Sequence, residues 1–583
     1  MTDAFSSLPT NLREALRRAA LDFPHRGIAI FDSRGRSCER RSYAELFELA
    51  TDAAARFAGL GVGRDEPVLV ALPTSWEWME AWFGLVMRGA WPVASSGAGA
   101  MAAAEAQFEK VDKVMAAIGA RQVVASEAFQ AQAGEHGFRF AAGGVITSER
   151  LRGAAPATRG AAATGVSDGG DVAFLQLTSG STGLPRAVMI THQGAIHNPV
   201  ASDEAIGAPF GEPMHRLAEC MVSWLPLYHD MGLIGCLMLP MLCGLDSWLL
   251  RPEAFLARPR LWLEHLGSHG VSFAPAPNFG YQLCVERIPA DKREGLDLGA
   301  WRAAFTGAEM VRPETTGAFC AAFEPHGFRP ESLRPCYGLA EGTLAVTFDV
   351  KGSGVRTLPA PAGADAGFAM TDVVSNGVPI RDTSLRMTAP DGSILPEGAI
   401  GEVCIKGPGV FRGYYRDPEA TAATLKNGWF STGDLGFLAD GELYLTGRTK
   451  DLLIVHGHNI MPDDIERLAD SVTGGGGLLR SAAFSVARGA AGEQAVVVVE
   501  TADGNPERLA KIGREIRVRI GRTMGLPLAD LVFVRRGRIP RTTSGKMQRG
   551  ELRQHYLNGT LERLHDGPTD ETAPHDAGTE PGP

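Results

Sequence analysis

The segment Leu175-Gln-Leu-Thr-Ser-Gly-Ser-Thr-Gly-Leu-Pro-Arg186 joins an apolar strand pattern to a loop of hydroxyl side chains and glycines. A loop of this composition lets backbone N–H groups surround a phosphate, and the hydroxyls add further donors. It is not a Walker loop, because it lacks the G-x-x-x-x-G-K-[ST] pattern. A plain polar turn is the simpler alternative, but so dense a run directly after an apolar strand favours phosphate binding. By itself the loop fits any nucleotide; its candidate phosphate-binding residues are Thr178, Ser179, Gly180, Ser181, Thr182 and Gly183.

The pattern on either side of this loop alternates short apolar runs with helical periods. VLVAL (Val68 to Leu72), QVVAS (Gln122 to Ser126) and VAFLQL (Val172 to Leu177) each lie next to a helical stretch. Strand–helix alternation predicts an α/β fold with parallel sheets covered by helices. Later, from Gly401 to Arg448, short strands broken by Gly and Asp-Gly turns predict a small antiparallel β unit.

The chain resumes an α/β pattern after that unit, and we place a domain boundary near Lys450. The sequence therefore predicts a large N-terminal domain (1–449) with parallel-sheet lobes and the β unit. A small mobile C-terminal α/β domain (450–565) follows. Residues 566–583 are rich in Pro, Gly and acidic residues, which predicts a disordered tail.

Composition and charge exclude several classes of protein. The chain has 583 residues, 44% of them hydrophobic, and a formal net charge of −10. The hydrophobic fraction fits a globular protein with a large core. The net negative charge and the lack of any Lys/Arg block argue against binding to nucleic acid. The longest apolar run, Leu233 to Leu245, contains Gly235 and Pro240 and is too short to span a bilayer, so no integral membrane contact is expected. The start of the chain lacks the features of an export signal.

The eight cysteines are scattered and form no C-x-x-C pair. This usage is typical of buried thiols in a reducing compartment, so neither disulfides nor zinc are expected. We therefore expect a cytoplasmic protein.

Four further motifs follow the phosphate loop in order. They are Pro335-Cys-Tyr-Gly-Leu-Ala-Glu341, Ser431-Thr-Gly-Asp434, Gly447-Arg-Thr-Lys-Asp451 and Pro540-Arg-Thr-Thr-Ser-Gly-Lys546. Together with T-S-G-S-T-G-x-P, they resemble the adenylate-forming superfamily of acyl-CoA synthetases, luciferases and peptide-synthetase adenylation domains. The resemblance spans nearly the whole chain.

The resemblance implies a role for each motif in joining a carboxylic acid to AMP. ATP and Mg²⁺ are the implied cofactors, with Glu341 as the metal ligand. Lys546 would neutralise charge between the carboxylate and the α-phosphate, and Lys450 would be the hinge of the small domain. A solvated surface lysine is the usual alternative for Lys546. The remaining implied nucleotide-binding residues are Gly307, Ala308, Glu309, Pro335, Cys336, Tyr337 (stacking on adenine), Gly338, Leu339, Ala340, Asp434 (holding the ribose hydroxyls) and Arg448.

A narrower resemblance is to the fatty acyl-AMP ligases. It rests on Ser223-Trp-Leu-Pro-Leu-Tyr-His-Asp-Met-Gly-Leu-Ile-Gly235, Ala276-Pro-Asn-Phe-Gly-Tyr281 and the Thr-Gly-Ala-Glu309 segment. It implies transfer of the acyl group to the phosphopantetheine thiol of an acyl carrier protein. His229 is the implied catalytic histidine, and a core imidazole is an equal alternative for it. The implied acyl pocket is apolar, which favours a fatty acid; its residues are Trp224, Met231, Ile234, Phe279, Tyr281 and Phe305.

These ligases carry an inserted segment that braces the small domain and disfavours coenzyme A. The interval from Phe348 to Val373, ahead of Val374-Ser-Asn-Gly377, occupies that place here. Two alternatives stay open at this stage. One is an ordinary acyl-CoA synthetase that uses free coenzyme A, and the other is a noncatalytic nucleotide-binding relative.

Overall fold

The computed structural model divides the chain into two compact units. One comprises Met1–Leu358 with Val373–Leu445, and the other Pro359–Asp372 with Thr446–Pro583. The described residues are 8–96, 104–141, 143–157, 168–178, 185–361, 372–455, 458–472, 480–487, 493–541 and 547–566. The predicted tail, apart from residue 566, lies outside them.

The first sheet of the large unit has six strands in the order β6-β5-β3-β4-β7-β8. All neighbours are parallel except β7 and β8, which form an antiparallel pair. The phosphate loop is the connection between those two strands. The strands are β3 (Pro67–Ala71), β4 (Trp91–Ala94), β5 (Gln122–Ala125), β6 (Gly144–Ile146), β7 (Val172–Thr178) and β8 (Arg186–Thr191).

The second sheet of the large unit has nine strands in the order β17-β14-β13-β12-β11-β9-β10-β1-β2. The six strands from β13 to β1 are parallel, and the outer ones are antiparallel. The strands are β1 (Gly27–Phe31), β2 (Cys38–Ser42), β9 (Cys220–Ser223), β10 (Asp246–Leu249), β11 (Phe273–Pro277), β12 (Ala303–Gly307), β13 (Leu333–Gly338), β14 (Ala345–Phe348) and β17 (Val378–Pro379). Two further short strands are β15 (Thr357–Pro359) and β16 (Asp372–Val374).

Helices of the large unit follow the strands, as alternation predicts. They are α1 (Leu12–Asp22), α2 (Tyr43–Gly59), α3 (Trp76–Arg88), α4 (Ala104–Ile118), α5 (Glu127–Glu135), α6 (Ser148–Gly153), α7 (His192–Gly207), α8 (Leu239–Cys243), α9 (Pro252–Ala257), α10 (Arg260–Ser268), α11 (Asn278–Arg287), α12 (Pro313–Phe323) and α13 (Pro418–Thr424). A π-helical segment, Met231–Met238, lies at the site described below. Within the described ranges, none of the helices combines the length and apolarity that a bilayer crossing requires.

The small β unit is an antiparallel sheet with β19 and β21 at its centre. Its strands are β18 (Ser384–Thr388), β19 (Gly401–Lys406), β20 (Leu425–Lys426), β21 (Trp429–Ala439) and β22 (Glu442–Arg448). One detail of the sequence interpretation was wrong, because β21 is a single strand of 11 residues that passes through Gly433 and Gly436. A bulge, at which the register with β19 shifts, absorbs the left-handed backbone of Gly433 (φ +75°) without ending the strand.

The second unit is built on a four-stranded sheet in the order β25-β26-β27-β28. Val497, Val499, Ile516, Leu531 and Phe533 are fully buried in its core. Its elements are β23 (Leu453–Val455), β24 (His458–Ile460), α14 (Pro462–Ser471), β25 (Arg480–Ala487), β26 (Glu493–Thr501), α15 (Pro506–Met524), β27 (Leu528–Arg535), α16 (Arg549–Leu557) and β28 (Arg563–Asp566).

The molecule is therefore an α/β protein with a large N-terminal unit and a smaller C-terminal one. The predicted boundary near Lys450 and the mobility of the small domain stay predictions. All eight cysteines are free thiols.

Candidate active site

The carboxyl ends of four parallel strands meet at one edge of the nine-stranded sheet. β13, β12, β11 and β9 lie side by side and run in the same direction. The segments that follow such strands come together at one edge, which is where α/β sheets bind their ligands. Here the strand ends and the segments that follow them comprise 224–234, 278–281, 307–309 and 335–341. They contain most of the residues that the motifs single out.

Tyr337 and Asp434 form a buried pair at this edge. The Tyr337 hydroxyl donates a hydrogen bond to Asp434 Oδ2 at 2.6 Å, and the two residues are only 7% and 4% exposed. Asp434 lies in the bulge of β21, where Thr432, Gly433 and Asp434 face a single residue of β19. Bulges of this kind redirect a side chain out of the normal alternation. The fold thereby joins the predicted adenine-stacking ring to the predicted ribose carboxylate.

Glu341 follows β13 in a short turn and is held from two sides. Its Oε1 accepts a hydrogen bond from the Tyr414 hydroxyl at 2.9 Å. Its backbone carbonyl accepts one from the Phe411 amide at 2.8 Å. Burial, together with the charge of Glu341, raises the pKa of the Tyr414 hydroxyl well above its usual value. Tyr414 therefore stays protonated and acts as a donor to the carboxylate.

The remaining residues of the 335–341 motif lie in the last part of β13 and in the turn that leads to Glu341. A Cβ at Gly338 would lie 1.9 Å from the Leu344 carbonyl oxygen, so only glycine fits there. The Leu339 amide donates to that same oxygen at 2.9 Å. Burial raises the pKa of the Cys336 thiol to about 12, which keeps it neutral. Pro335 in β13 and Ala340 in the turn are both buried.

The Gly307-Ala308-Glu309 segment is tightly constrained. A Cβ at Gly307 would lie 2.8 Å from the Cys336 carbonyl oxygen, which explains the glycine. Ala308 has φ +66°, a left-handed conformation that is sparsely populated by residues with a side chain. Glu309 Oε1 accepts the amide N–H of Phe279 at 2.6 Å. The Glu309 carboxylate therefore holds the first turn of α11.

His229 lies between β9 and the π-helical segment and is mostly buried. Its Nδ1 is 2.7 Å from Asp230 Oδ1, and that oxygen also accepts the Met231 amide N–H at 2.8 Å. The preceding carbonyl, that of Tyr228, accepts a hydrogen bond from the Gln176 side chain at 2.8 Å. Because Gln176 belongs to β7, this contact ties the histidine segment to the strand that leads into the phosphate loop.

Three aromatic rings form an apolar wall beside this segment. Trp224 stacks on Phe255 with ring centroids 3.8 Å apart, and Phe279 meets Trp224 edge to face at 5.7 Å. Met231 and Ile234 are buried in the π-helical segment. π-Helical turns occur frequently at functional sites.

Tyr281 and Phe305 are packed into the aromatic core of the nine-stranded sheet. The Tyr281 ring is completely buried against Trp301 and Phe319, and its hydroxyl donates to the Phe305 carbonyl oxygen at 2.8 Å. Phe305 packs edge to face on Phe348. Both residues support the wall from within the core, and their predicted contact with an acyl chain stays a prediction.

Several predicted residues lie elsewhere. Thr178 ends β7, where it pairs with Arg186 at the start of β8. Arg448 and Lys450 belong to the second unit. The following predicted site residues lie outside the described part of the chain: Ser179, Gly180, Ser181, Thr182, Gly183 and Lys546.

The sequence interpretation missed Tyr414 and its neighbours. Arg186 lies over the Tyr414 ring, 5.2 Å from its centroid, and pairs with Asp417 at 3.6 Å. Tyr414 lies 73 residues beyond Glu341, and only the fold brings the two together. The sole local signal was an aromatic pair in Gly413-Tyr-Tyr-Arg-Asp417 next to a predicted strand.

Comparisons with known proteins agree with this architecture. The family model described as AMP-binding enzyme matches residues 16–415. The long-chain-fatty-acid–AMP ligase FadD26 of Mycobacterium tuberculosis is 36% identical over 67% of this chain and 71% of its own length. A protein of Caulobacter vibrioides with the provisional name acyl-CoA synthetase is 32% identical over 96% of this chain and 97% of its own.

Solved structures give the same result. A structure from a study of fatty acyl-adenylate ligases of E. coli and L. pneumophila has a TM-score of 0.82 and 30% identity, and covers 95% of this chain and 98% of its own. A fatty acyl-adenylate ligase from L. pneumophila, in complex with acyl adenylate and pyrophosphate, has a TM-score of 0.70 and 29% identity over 97% and 98%. The chain therefore belongs to the AMP-binding enzyme family, and it is an ATP-dependent, adenylate-forming ligase similar to the fatty acyl-AMP ligases.

Proposed function

We propose that this ligase activates a fatty acid as its acyl-adenylate in the cytoplasm and passes the acyl group to the phosphopantetheine thiol of an acyl carrier protein. The observation that carries the proposal is the convergence, at one sheet edge, of three features. They are the Tyr337–Asp434 pair, the Glu341 carboxylate and the apolar wall at Trp224.

The proposed reaction has two steps. A carboxylate oxygen of the acid attacks the α-phosphorus of ATP, the bond to pyrophosphate breaks, and acyl-AMP forms. A thiolate then attacks the acyl carbonyl carbon, and AMP leaves as the thioester forms. Both steps bring anions together, so catalysis consists mainly of positioning and charge stabilisation.

The arrangement of Tyr337 and Asp434 supports their roles in orienting the nucleotide. We assign Tyr337 to stack on adenine and Asp434 to accept the ribose hydroxyls. Lys546 would stabilise the charge that develops at the α-phosphate, and Arg448 would contact the nucleotide. His229 is fixed by Asp230, which favours a positioning role at the mouth of the acyl pocket.

Glu341 fits a Mg²⁺ site of the kind found with nucleotides. Mg²⁺ takes one or two carboxylates and completes its shell with phosphate oxygens and water. Glu341 supplies one such carboxylate, and within the described ranges no cluster of three or more candidate ligands competes with it. When bound, the ion would neutralise charge on the phosphates.

The apolar wall supports a fatty acid as substrate. The wall consists of three aromatic rings, those of Trp224, Phe255 and Phe279. The neighbouring side chains of Met231 and Ile234 are apolar and buried. The acids in these segments are Asp230, Glu309 and Glu341. Each accepts a hydrogen bond, from the Met231 amide, the Phe279 amide and the Tyr414 hydroxyl respectively. An ammonium group buried here would lack a partner at a large desolvation cost, which disfavours amino acids.

The segment that begins at Phe348 supports a carrier protein as the acceptor. Its two ends are clamped together on the large unit. Arg356 bridges Asp349 at 3.1 Å and Glu442 at 2.6 Å, and Ser375 Oγ donates to Glu442 at 2.6 Å. Glu442 and Asp349 are 2% and 1% exposed. Firm anchoring of both ends of this segment is what we expect of an insert that restricts the approach of free coenzyme A.

An acyl-CoA synthetase is the second candidate function. The relative from C. vibrioides, which spans nearly the whole chain, has the name of that activity. The first step is the same in both cases, so only the acceptor distinguishes them.

A comparison of acceptor thiols tests the proposal. Purified enzyme, ATP, Mg²⁺ and a fatty acid are incubated with holo-carrier protein, with apo-carrier protein or with coenzyme A, and thioesters are measured by mass spectrometry. We expect thioester on the holo-carrier protein alone. Acylation of coenzyme A at an equal rate would replace the proposal with the second candidate. In Arg356→Met, which loses the clamp, we expect the share of coenzyme A to rise.

A further inference from the structure

Tyr414 links the predicted metal carboxylate to the strand that leaves the phosphate loop. Its hydroxyl donates to Glu341 Oε1 at 2.9 Å, and the residue is 5% exposed. Its ring lies beneath the guanidinium of Arg186, the first residue of β8. Tyr414 therefore contacts both Glu341 and the first residue of β8.

The backbone around Tyr414 is fixed to β8. The Met189 amide donates to the Gly413 carbonyl at 3.0 Å, and the Tyr415 amide donates to the Ala187 carbonyl at 2.8 Å. The Tyr414 amide donates to Thr421 Oγ1 at 2.9 Å. A ring held in this way has little freedom to turn, so its hydroxyl defines a fixed point for the carboxylate.

The geometry points to Tyr414 as a positioning residue for Glu341: its hydroxyl fixes the orientation of the carboxylate that binds Mg²⁺, and Arg186 joins this contact to the end of the phosphate loop. This inference rests on the proposed function, because it takes Glu341 to be the metal ligand. The ion pair between Arg186 and Asp417 at 3.6 Å also joins β8 to the segment that contains Tyr414, since Asp417 lies three residues beyond Tyr414.

The simpler interpretation is that Tyr414 is a core tyrosine and that its hydrogen bond to Glu341 only satisfies a buried hydroxyl. The two readings differ in what the hydroxyl controls. A structural tyrosine would affect stability alone, whereas a positioning tyrosine would affect the contribution of Mg²⁺ to nucleotide binding. That contribution can be measured without any catalytic turnover.

Calorimetric titration of ATP into Tyr414→Phe, with Mg²⁺ and with EDTA, tests the inference. Phenylalanine keeps the aromatic ring beneath Arg186 and removes the hydroxyl that donates to Glu341. A hydrogen bond to a charged group is worth a factor of at least about ten in binding. We expect the variant to lose about tenfold in affinity with Mg²⁺ and to match the wild type in EDTA.

Tyr415→Phe is the matched control. Tyr415 is the adjacent tyrosine, and its ring packs edge to face on Trp91 with ring centroids 5.6 Å apart. We expect this variant to bind Mg·ATP like the wild type. Thermal unfolding of both variants checks that each is folded.

A double-mutant cycle with Glu341→Gln separates the two readings. If Tyr414 acts through Glu341, Tyr414→Phe has no further effect on Mg·ATP binding in the Glu341→Gln background. An equal loss in EDTA and in Mg²⁺, or a loss that persists in that background, would overturn the inference. If the wild type itself gains no affinity from Mg²⁺, the assignment of Glu341 under the proposed function fails instead.

Discussion

Removing the Tyr337 hydroxyl is the change that the geometry of the nucleotide site predicts most sharply. In Tyr337→Phe the ring stays, and the 2.6 Å hydrogen bond to Asp434 is lost. A hydrogen bond to a buried carboxylate contributes about 2 kcal/mol, which corresponds to a factor of roughly 30 in binding. Asp434 loses the contact that fixes its orientation, and under the proposed function this weakens its hold on the ribose in the ground state and in the transition state alike. We therefore expect the KM for ATP to rise by roughly tenfold to thirtyfold with kcat nearly unchanged.

ATP-dependent exchange of labelled pyrophosphate, with a saturating fatty acid, measures both constants. Tyr444→Phe is a suitable control, because Tyr444 is a buried tyrosine of the same unit whose hydroxyl faces Glu442 at 3.5 Å. Its KM for ATP should stay at the wild-type value. An unchanged KM in folded Tyr337→Phe, or an equal increase in the control, would refute the reasoning.

Three further predictions concern catalysis, the acyl pocket and stability. Lys546→Ala should abolish most adenylation while calorimetry still detects ATP binding, because this contact matters mainly as charge develops; a wild-type exchange rate would contradict the assignment. Gly280→Ala places a Cβ 2.8 Å from the Trp224 ring, which should lower the free energy of unfolding by about 1–3 kcal/mol. In a panel of fatty acids, the variant should activate the longest ones less well. An unchanged chain-length profile would argue against Trp224 as a pocket wall. Burial lowers the pKa of His192 from 6.5 to about 4, and its Nδ1 accepts the Leu12 amide N–H. Between about pH 4 and 6.5 the unfolded state binds more protons than the folded state. The free energy of unfolding therefore has its full value above about pH 6.5 and falls by up to roughly 3 kcal/mol as the pH drops toward 4. Thermal unfolding of His192→Gln should show a flatter dependence on pH.

Much of the fold was predictable because its signals are local. Strands such as β3, β5 and β7 appear as apolar runs beside helical periods, and parallel pairing follows from that alternation. The exception was β21, in which Gly433 and Gly436 predicted breaks. The bulge at Asp434 depends on pairing with β19, which no local pattern encodes.

The site was predictable only where a motif carries it. Tyr337, Glu341 and Asp434 were predicted as site residues from short motifs, and the fold brings the first and last into contact across 97 positions. Tyr414 carries no comparable motif, and its relation to Glu341 depends on the path of the chain beside β8. Tyr281 shows the opposite case, since an aromatic residue in a pocket segment is also what a core requires.

The measurement that tests the central claim most directly is pyrophosphate release by the purified protein with ATP, Mg²⁺ and a panel of acids, with acyl-adenylate trapped by hydroxylamine. The account predicts fatty acyl hydroxamate and stoichiometric pyrophosphate with fatty acids, and neither product with amino acids. No pyrophosphate from any fatty acid, with Mg·ATP shown to bind, would contradict it.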